Sequence, residues 1–341
     1  MHITLVDDSI AFDGFSAASR PLGGPEKAFS SLPGALTQLG HTVQVFNRCR
    51  WGMYVEGAQW ETFEGKKPLH TDVLIAYRKP SLLEFVRQAE KRVLWFTGPG
   101  RLLDRPATRD LLEAHKPLLL LTAEAQARDF MPKGLTAALL PMAVRADYHG
   151  GEPRPRQPPR AIVTTHPAHG LDWLLDLWIS QIRPASPEAE LHLISMTLAK
   201  AAEGGEIEEA LRPVAAKALA ARDTHGVVIG LPQGDYLMSE MFRDASVHLF
   251  PGHADDMGCF TLAESQASGC PAVVRPLGAV RERVADGVSA YVVPDDAAFA
   301  NLAALLLNDA AVQRSMGAEA RTLWRGRTWE NTAQVLEGWL R

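Results

Sequence analysis

The chain has 341 residues, and this length predicts two hydrophobic cores of roughly 150 residues each. Hydrophobic residues make up 46% of it and charged residues 22%, a composition that excludes a disordered chain. A net charge of −5 provides no positive field for phosphate backbones, so we expect no nucleic-acid partner.

The first half of the chain alternates short apolar runs with longer segments of helical period. The runs, each predicted to be a strand, lie at 3–6, 43–46, 73–76, 93–96 and 118–121. Such alternation is typical of a parallel sheet with crossover helices. A proline-rich segment at 150–160 then interrupts the pattern, and we place a domain boundary there.

After this segment the same alternation begins again. Strands are predicted at 161–163, 191–194, 227–229, 247–250, 272–274 and 290–293, and helices at 169–182, 207–221, 236–243, 261–268 and 296–308. The fold class is therefore α/β with two Rossmann-like domains, the first at 1–152 and the second at 160–326.

Cysteine usage and apolar run length indicate the compartment. Cys49, Cys259 and Cys270 have no CxxC spacing, which favours reduced thiols in a cytoplasm and indicates no zinc site. The chain starts directly with a strand pattern, without the features of a signal peptide. Its apolar runs are far shorter than the ~20 residues that span a bilayer. We expect a cytoplasmic protein with at most peripheral membrane contact.

The stretch from His248 to Asp296 carries the most specific pattern in the sequence. Its landmarks, in order, are Phe250-Pro251, Asp256, Gly258, Glu264, Gly269-Cys270-Pro271, Gly278 and Asp286-Gly287. This order resembles the donor-binding region of retaining glycosyltransferases of family 4. Members of that family have two acidic residues separated by seven others, and Asp256 and Glu264 reproduce the spacing, with the shorter Asp in the first place.

The resemblance implies the GT-B fold, in which two Rossmann-like domains face each other across a cleft and a last segment, here 327–341, crosses back to the first domain. It also implies that Glu264 binds the ribose hydroxyls of a nucleotide sugar. Asp256 and the amides of 257–260 would hold the transferred sugar. The donor-binding residues implied are Gly23, Gly24, Leu231, Met257, Gly258, Cys259, Phe260, Thr261, Leu262 and Glu264, and the catalytic ones are Asp256 and His169.

Two of these assignments have plain structural alternatives. Gly23-Gly24 resembles the family's N-terminal glycine loop, which lets the backbone approach the donor phosphates, but a glycine pair is also an ordinary flexible turn. His169 stands where relatives have an Arg or Lys that neutralises the departing diphosphate, and a histidine there is only partly charged at neutral pH. Its alternative is a helix-terminal histidine without a ligand.

One motif of the family is absent. Thr97-Gly98 stands at the end of a strand where many relatives have a His-Asp pair facing the sugar. The absence leaves the acceptor open and, together with His169, favours one alternative, a catalytically degenerate GT-B protein that binds a nucleotide sugar. A second alternative is a GT-B epimerase or sugar-phosphate synthase.

The resemblance predicts a retaining hexosyltransferase with a nucleotide-sugar donor, such as a UDP-sugar, in polysaccharide or glycoconjugate synthesis. The acceptor, whether saccharide, lipid-linked or a small molecule, is not identified. No cofactor and no metal are expected, because backbone amides and a cationic side chain take the place of the metal.

Overall fold

The computed structural model describes residues 1–130 and 132–341, which divide into two compact units. The first unit comprises Met1–Arg145 together with Gly326–Arg341, and the second comprises Ala146–Arg325. The chain therefore leaves the first unit once and returns to it at the end.

The described residues form strands and helices in alternation. In chain order the strands are β1 (His2–Val6), β2 (Thr42–Asn47), β3 (Met53–Val55), β4 (Ala58–Thr62), β5 (His70–Tyr77), β6 (Gln88–Phe96), β7 (Leu118–Leu121), β8 (Ala137–Leu139), β9 (Arg160–Val163), β10 (Glu190–Ile194), β11 (Val227–Gly230), β12 (Val247–Phe250), β13 (Ala272–Val274) and β14 (Ala290–Val292). The helices are α1 (Ser16–Ser19), α2 (Gly24–Gln38), α3 (Pro106–His115), α4 (Ala125–Arg128), α5 (Ala146–His149), α6 (Leu171–Leu177), α7 (Arg183–Ala185), α8 (Met196–Ala202), α9 (Arg212–Ala220), α10 (Asp235–Asp244), α11 (Phe260–Ala267), α12 (Asp296–Asn308), α13 (Ala310–Trp324) and α14 (Trp329–Leu340). A π-helical segment, Trp178–Ile182, joins α6 to α7.

The sheet of the first unit has the strand order β3-β4-β2-β1-β5-β6-β7-β8. Its strands pair in parallel except for the β3–β4 hairpin at one edge. The central strands are continuous apolar runs, as expected for parallel strands covered on both faces. Phe12, Phe29, Trp60 and Tyr77 pack edge-on or tilted on one another in the core beside α2.

The last helix completes the first unit. α14 packs on α2, the Trp329 ring lies 6.0 Å from that of Trp95, and Thr332 Oγ1 donates a hydrogen bond to the Pro141 carbonyl at 3.0 Å. Leu336 is fully buried on the inner face of this helix. Side chains from the two ends of the chain thus share one core.

The sheet of the second unit has six parallel strands in the order β11-β10-β9-β12-β13-β14. This is the doubly wound order 3-2-1-4-5-6, in which the chain reverses its direction of travel between the first and fourth strands. The reversal opens a crevice at the carboxyl ends of β9 and β12. Open α/β sheets bind ligands at such a point.

The proline-rich segment that was expected to separate the domains hydrogen-bonds within the second unit. The Arg154 amide donates to the Arg243 carbonyl at 2.8 Å, and the Arg156 amide donates to the Asp244 carbonyl at 3.0 Å. The last carbonyls of α10 lack partners inside the helix, so the two amides between the prolines satisfy them. The division between the units accordingly falls earlier, after Arg145.

All six strands predicted for the second half are confirmed, with small shifts at their ends. The sequence patterns missed the β3–β4 hairpin, β8, α8 and α13. The helix predicted to begin at residue 207 begins at Arg212, because Pro213 fits only the first turn of a helix. No helix in the described part of the chain is long and apolar enough to cross a bilayer.

Candidate functional site

The predicted site residues of the second unit gather around the carboxyl ends of β9 and β12. A buried histidine ties the two strands to α11: the Ser265 hydroxyl donates to the Leu262 carbonyl and therefore accepts from His248 Nδ1 at 2.8 Å. His248 Nε2 then accepts from the Thr164 hydroxyl at 3.2 Å. Burial lowers the pKa of His248 to about 3, so the ring stays neutral and holds this network in one arrangement.

Asp256 closes the loop that leads into α11. Its Oδ1 accepts hydrogen bonds from the Gly258 amide at 3.1 Å and from the Cys259 amide at 2.7 Å. Cys259 has a φ of +47°, a left-handed conformation that lets the chain turn into the helix. Two of the amides expected to meet the sugar are thus already bound by Asp256. Its Oδ2 makes no hydrogen bond to any residue that the structure describes, and it remains available to a ligand.

A buried arginine supports this loop from behind. Arg283 Nε donates to the Gly258 carbonyl at 3.0 Å and its Nη2 donates to the Met257 carbonyl at 3.2 Å. Burial lowers the pKa of Arg283, although nearby acidic groups partly offset the effect. Sequence reasoning missed this residue, since only the folded chain brings 283 next to 257.

Glu264 lies on α11, where it is 5% exposed and close to the hydroxyl of Tyr148. That hydroxyl donates to Asp235 Oδ1 at 2.7 Å. Burial raises the pKa of Tyr148 well above its usual value, and the charges of Glu264 and Asp235 raise it further. The Tyr148 proton is therefore retained, and Asp235 accepts the hydrogen bond that it makes. The sequence offers no signal for Tyr148 or Asp235.

His169 lies in the loop between β9 and α6. Its ring stacks on His253 with 4.3 Å between the ring centroids and 24° between the ring planes. Burial lowers the pKa of His169, the like charges of His253 and His166 lower it further, and Asp256 partly opposes them. The side chain that stands in place of the family's Arg or Lys is accordingly neutral at pH 7 without a ligand.

Arg275 brings a permanent positive charge close to this loop. It follows β13 directly, its Nε donates to the Pro251 carbonyl at 2.6 Å, and its guanidinium lies 4.4 Å from the ring centre of Trp173. A Cβ on Gly170 would lie 3.2 Å from Arg275 Nη2, so the guanidinium also packs against the residue after His169. The sequence signal for Arg275 is its position directly after a predicted strand.

Gly23 and Gly24 belong to the first unit, at the start of α2. Gly23 has an ordinary extended backbone, and a Cβ there would collide with the carboxylate of Glu26. Glu26 Oε1 lies 2.8 Å from Arg78 Nη2, and both side chains are mostly buried. The glycine pair thus leads into a charged cluster at the carboxyl edge of the first sheet.

Hydrogen bonds within the protein hold two further predicted positions. The Thr97-Gly98 loop is held by Gln126, whose Nε2 donates to the Phe96 carbonyl at 2.9 Å and to the Gly98 carbonyl at 2.6 Å. Leu231 is 43% exposed after β11, the edge strand, and its carbonyl accepts from Gln233 Nε2 at 3.3 Å. The structure therefore places Leu231 two strands away from β9.

One group of side chains in the described residues has the spacing of metal ligands, namely His70, Asp72 and Glu90. It lies on the first unit and includes none of the predicted site residues.

Comparisons with known proteins agree with this architecture. Residues 161–309 match the family model described as "Glycosyl transferases group 1". A D-inositol 3-phosphate glycosyltransferase of Kribbella flavida is 34% identical over 102 residues, which cover 29% of this chain and 23% of that protein. The chain thus matches about a quarter of the length of that relative.

Solved structures resemble the chain over its whole length. Sucrose-phosphate synthase from Thermosynechococcus elongatus has a TM-score of 0.75 at 15% identity, covering 99% of this chain and 98% of its own. HepE from Anabaena, in complex with UDP and glucose, has a TM-score of 0.65 at 11% identity with the same coverage of both chains. At such identities the likeness shows the fold. The chain therefore has the GT-B fold of these structures, and its residues 161–309 resemble the group 1 glycosyl transferases.

Proposed function

We propose that this protein transfers a hexose from a UDP-sugar to a hydroxyl of an acceptor, with retention of anomeric configuration, in the synthesis of a polysaccharide or glycoconjugate. The observation that carries the proposal is the placement of Asp256 and Glu264. One lies in the loop before α11 and the other on α11, at the crevice between β9 and β12 where doubly wound sheets bind ligands.

Several features of α11 suit a nucleotide diphosphate. The first backbone hydrogen bond of this helix runs from the Ala263 amide to the Cys259 carbonyl, so the amides of 260–262 precede it and point out of the helix end. Such amides and the helix dipole favour an anion. Glu264, one turn further on, would accept hydrogen bonds from the ribose hydroxyls.

The chemistry follows from what these residues can supply. The bond between the anomeric carbon and the phosphate oxygen breaks, and a bond to the acceptor oxygen forms on the same face of the sugar. The proton of the acceptor hydroxyl passes to the departing diphosphate. Asp256 Oδ2 would orient the sugar, while His169 and Arg275 stabilise the diphosphate, so that the protein acts by positioning and electrostatic stabilisation without a metal.

A structural relative supports the donor class. HepE was solved with UDP and glucose, and the Kribbella relative is named as a glycosyltransferase acting on D-inositol 3-phosphate. The acceptor of the present protein is left open. Cys49, Cys259 and Cys270 are buried thiols without a disulfide, which suits a reducing compartment such as the cytoplasm.

A second candidate is a binding protein that does not transfer sugar. The neutral state of His169 and the Thr97-Gly98 loop, held by Gln126, favour it. Slow hydrolysis of a UDP-sugar in the absence of acceptor distinguishes the two functions, since a transferase releases UDP and free hexose and a binding protein releases neither.

Thermal unfolding in the presence of nucleotides tests the donor site. UDP, GDP, ADP and their hexose conjugates are added to the wild type, to Glu264→Ala and to Glu319→Ala, in which an exposed acid on α13 is removed. A ligand at 100 times its Kd stabilises the folded state by about 2.7 kcal/mol. We expect UDP to raise the melting temperature of the wild type and of Glu319→Ala but not of Glu264→Ala. No shift with any nucleotide at millimolar concentration would contradict the proposal.

Two substitutions at Asp256 separate its charge from its role in the loop. Asn retains an oxygen for the Gly258 and Cys259 amides, whereas Ala removes it. We therefore expect Asp256→Asn to lower the turnover of UDP-sugar hydrolysis by at least about tenfold with little change in UDP affinity, since the charge next to the sugar is lost. Asp256→Ala should reduce both. Equal loss of turnover and affinity in Asp256→Asn would argue against its assigned role.

A further inference from the structure

Three histidine rings lie together at the carboxyl edge of the second sheet. His253, in the loop after β12, stacks on His169 with 4.3 Å between centroids, and the ring of His166 lies 5.4 Å from that of His169. Of the three, only His169 has a role in the proposed sugar transfer. His253 comes from a different loop, so its position on His169 is a property of the fold.

Backbone hydrogen bonds select the tautomers of the two flanking rings. His253 Nδ1 accepts from the Asp255 amide at 3.1 Å, and His166 Nδ1 accepts from the Ala168 amide at 3.2 Å. In a neutral imidazole with an accepting Nδ1, the proton is on Nε2. His253 therefore presents an N–H donor even when it carries no charge.

His169 differs from the two flanking rings in its hydrogen bonding. Neither of its ring nitrogens makes a hydrogen bond to a residue in the described part of the chain, so both are available to a ligand. Among the described residues, the charged and titratable groups that act on it are His166 on its own loop and His253 and Asp256 on the loop after β12, while Arg275 packs against the neighbouring Gly170. Burial, assisted by the neighbouring histidines, lowers its pKa. Two protonated rings at this separation would repel each other, so an anion is needed before the pair gains charge.

We infer that His253 is a second phosphate-binding residue of this site, and that His253 and His169 bind the donor diphosphate as a pair with uptake of a proton. His253 donates through Nε2–H, and His169 takes a proton from solvent when the anion binds. The inference rests on the proposed function and extends it to a dependence on pH. Relatives with an Arg or Lys before the glycine carry their charge at every physiological pH, whereas His169 must take up a proton.

The pair makes the affinity for a nucleoside diphosphate depend on pH. A bound anion raises the pKa of His169, so the complex holds a proton that the free protein lacks. Affinity is then greatest on the acid side of about pH 6.5 and falls as the pH rises, by up to about tenfold per pH unit for one proton.

Isothermal titration calorimetry tests the pair in the whole protein. UDP and inorganic pyrophosphate are titrated between about pH 6.5 and pH 8.5, and near pH 7 in two buffers with different heats of ionisation, which reports the protons taken up. The variants are His253→Gln, whose amide nitrogen replaces Nε2 without titrating, and His253→Asn, whose Oδ1 can still accept from the Asp255 amide but whose shorter side chain places no N–H at the position of Nε2. His192→Gln, on β10, is the control, and thermal unfolding shows that each variant is folded.

We expect the wild type and His192→Gln to take up a proton and to lose affinity for both ligands as the pH rises. His253→Gln should match the wild type in affinity and proton uptake, because its amide N–H replaces Nε2–H and His169 takes up the proton, whereas His253→Asn should bind several-fold more weakly throughout. The ligands' own titration is common to all variants and cancels in the comparison. If UDP binds and both His253 variants match the wild type in affinity and proton uptake, the pair is ruled out while the donor site stands. If UDP does not bind the wild type and pyrophosphate does, with the expected pH dependence, the pair stands and the UDP donor is ruled out.

Discussion

His248 shows how one buried side chain can organise a site without touching a ligand. It lies on β12, and its two ring nitrogens bind Ser265 on α11 and Thr164 after β9. Ser265 follows Glu264 in the chain, and Thr164 begins the loop that carries His169. Since both nitrogens are needed in defined roles, one as donor and one as acceptor, the ring must be neutral and in one tautomer.

Protonation of His248 should therefore destabilise the protein in mild acid. Burial lowers the pKa of His248 from 6.5 to about 3, whereas an unfolded histidine binds its proton near pH 6.5. The stabilisation is complete above about pH 6.5 and is lost as the pH falls, by ~1.4 kcal/mol per pH unit, until the folded protein also binds the proton.

Urea unfolding followed by circular dichroism at several pH values measures this slope. His248→Gln should be less stable than the wild type at pH 8, by ~1 kcal/mol or more for a lost buried hydrogen bond, yet should lose less stability between about pH 6.5 and pH 4.5. His2→Gln, an exposed position, serves as the control and should retain the wild-type slope. Parallel curves for His248→Gln and the wild type would exclude this role for His248.

Among the elements, the loop 251–259 is held by contacts from distant parts of the chain. Arg283 binds two of its carbonyls, and the Ala279 amide donates to the Asp256 carbonyl at 3.0 Å. Gly278 lies against the loop with a φ of +58°, where a Cβ would lie 2.7 Å from the His253 carbonyl oxygen and closer still to that of Asp256. Both obstacles are backbone atoms, which cannot rotate away.

Gly278→Ala should accordingly disturb the donor loop, and Gly287→Ala provides a matched control. Gly287 also has a positive φ, of +71°, but a Cβ there meets nothing within 4 Å. The control should cost only the left-handed backbone strain, about 1 to 2 kcal/mol. Gly278→Ala should cost more in the free energy of unfolding and should weaken UDP binding at least about tenfold. Equal effects of the two substitutions on unfolding and on UDP affinity would show that the loop tolerates the methyl group.

At the scale of the whole molecule, the chain order and the structural units do not coincide. Residues 326–341 follow the second unit in sequence but belong to the first. Trp329, Thr332 and Leu336 place one face of α14 in the core formed by residues 1–145. The first unit is therefore complete only when the last helix of the chain has docked.

A substitution in α14 should lower the stability of the first unit even though it lies at the far end of the chain. Leu336→Ala removes a fully buried side chain and should reduce the free energy of unfolding by about 2 to 5 kcal/mol. Val335→Ala, the neighbouring residue at 40% exposure, should stay within about 0.5 kcal/mol of the wild type. Denaturant unfolding checks the pair, and similar stabilities for both variants would mean that α14 contributes little to this core.

The sequence by itself determined the fold class and the strands of the second sheet. Parallel strands covered on both faces need continuous apolar runs, and β9 to β14 show such runs between helical segments. The spacing of Asp256 and Glu264 is also local, because a loop and the helix that follows it set the distance between them. Elements with weak patterns were missed: β3 and β8 have three residues each, and α13 follows α12 after a single residue.

Only the tertiary structure decided which residues lie around the site that contains Asp256 and Glu264. His253 stacks on His169, Arg275 lies beside Gly170, and Arg283 binds the loop before α11. In each case the partners are at least 25 residues apart in sequence, and they meet because the carboxyl ends of neighbouring parallel strands share one edge of the sheet. The lowered pKa of His169 likewise arises from burial and from rings that the fold brings to it, a property that no local pattern contains.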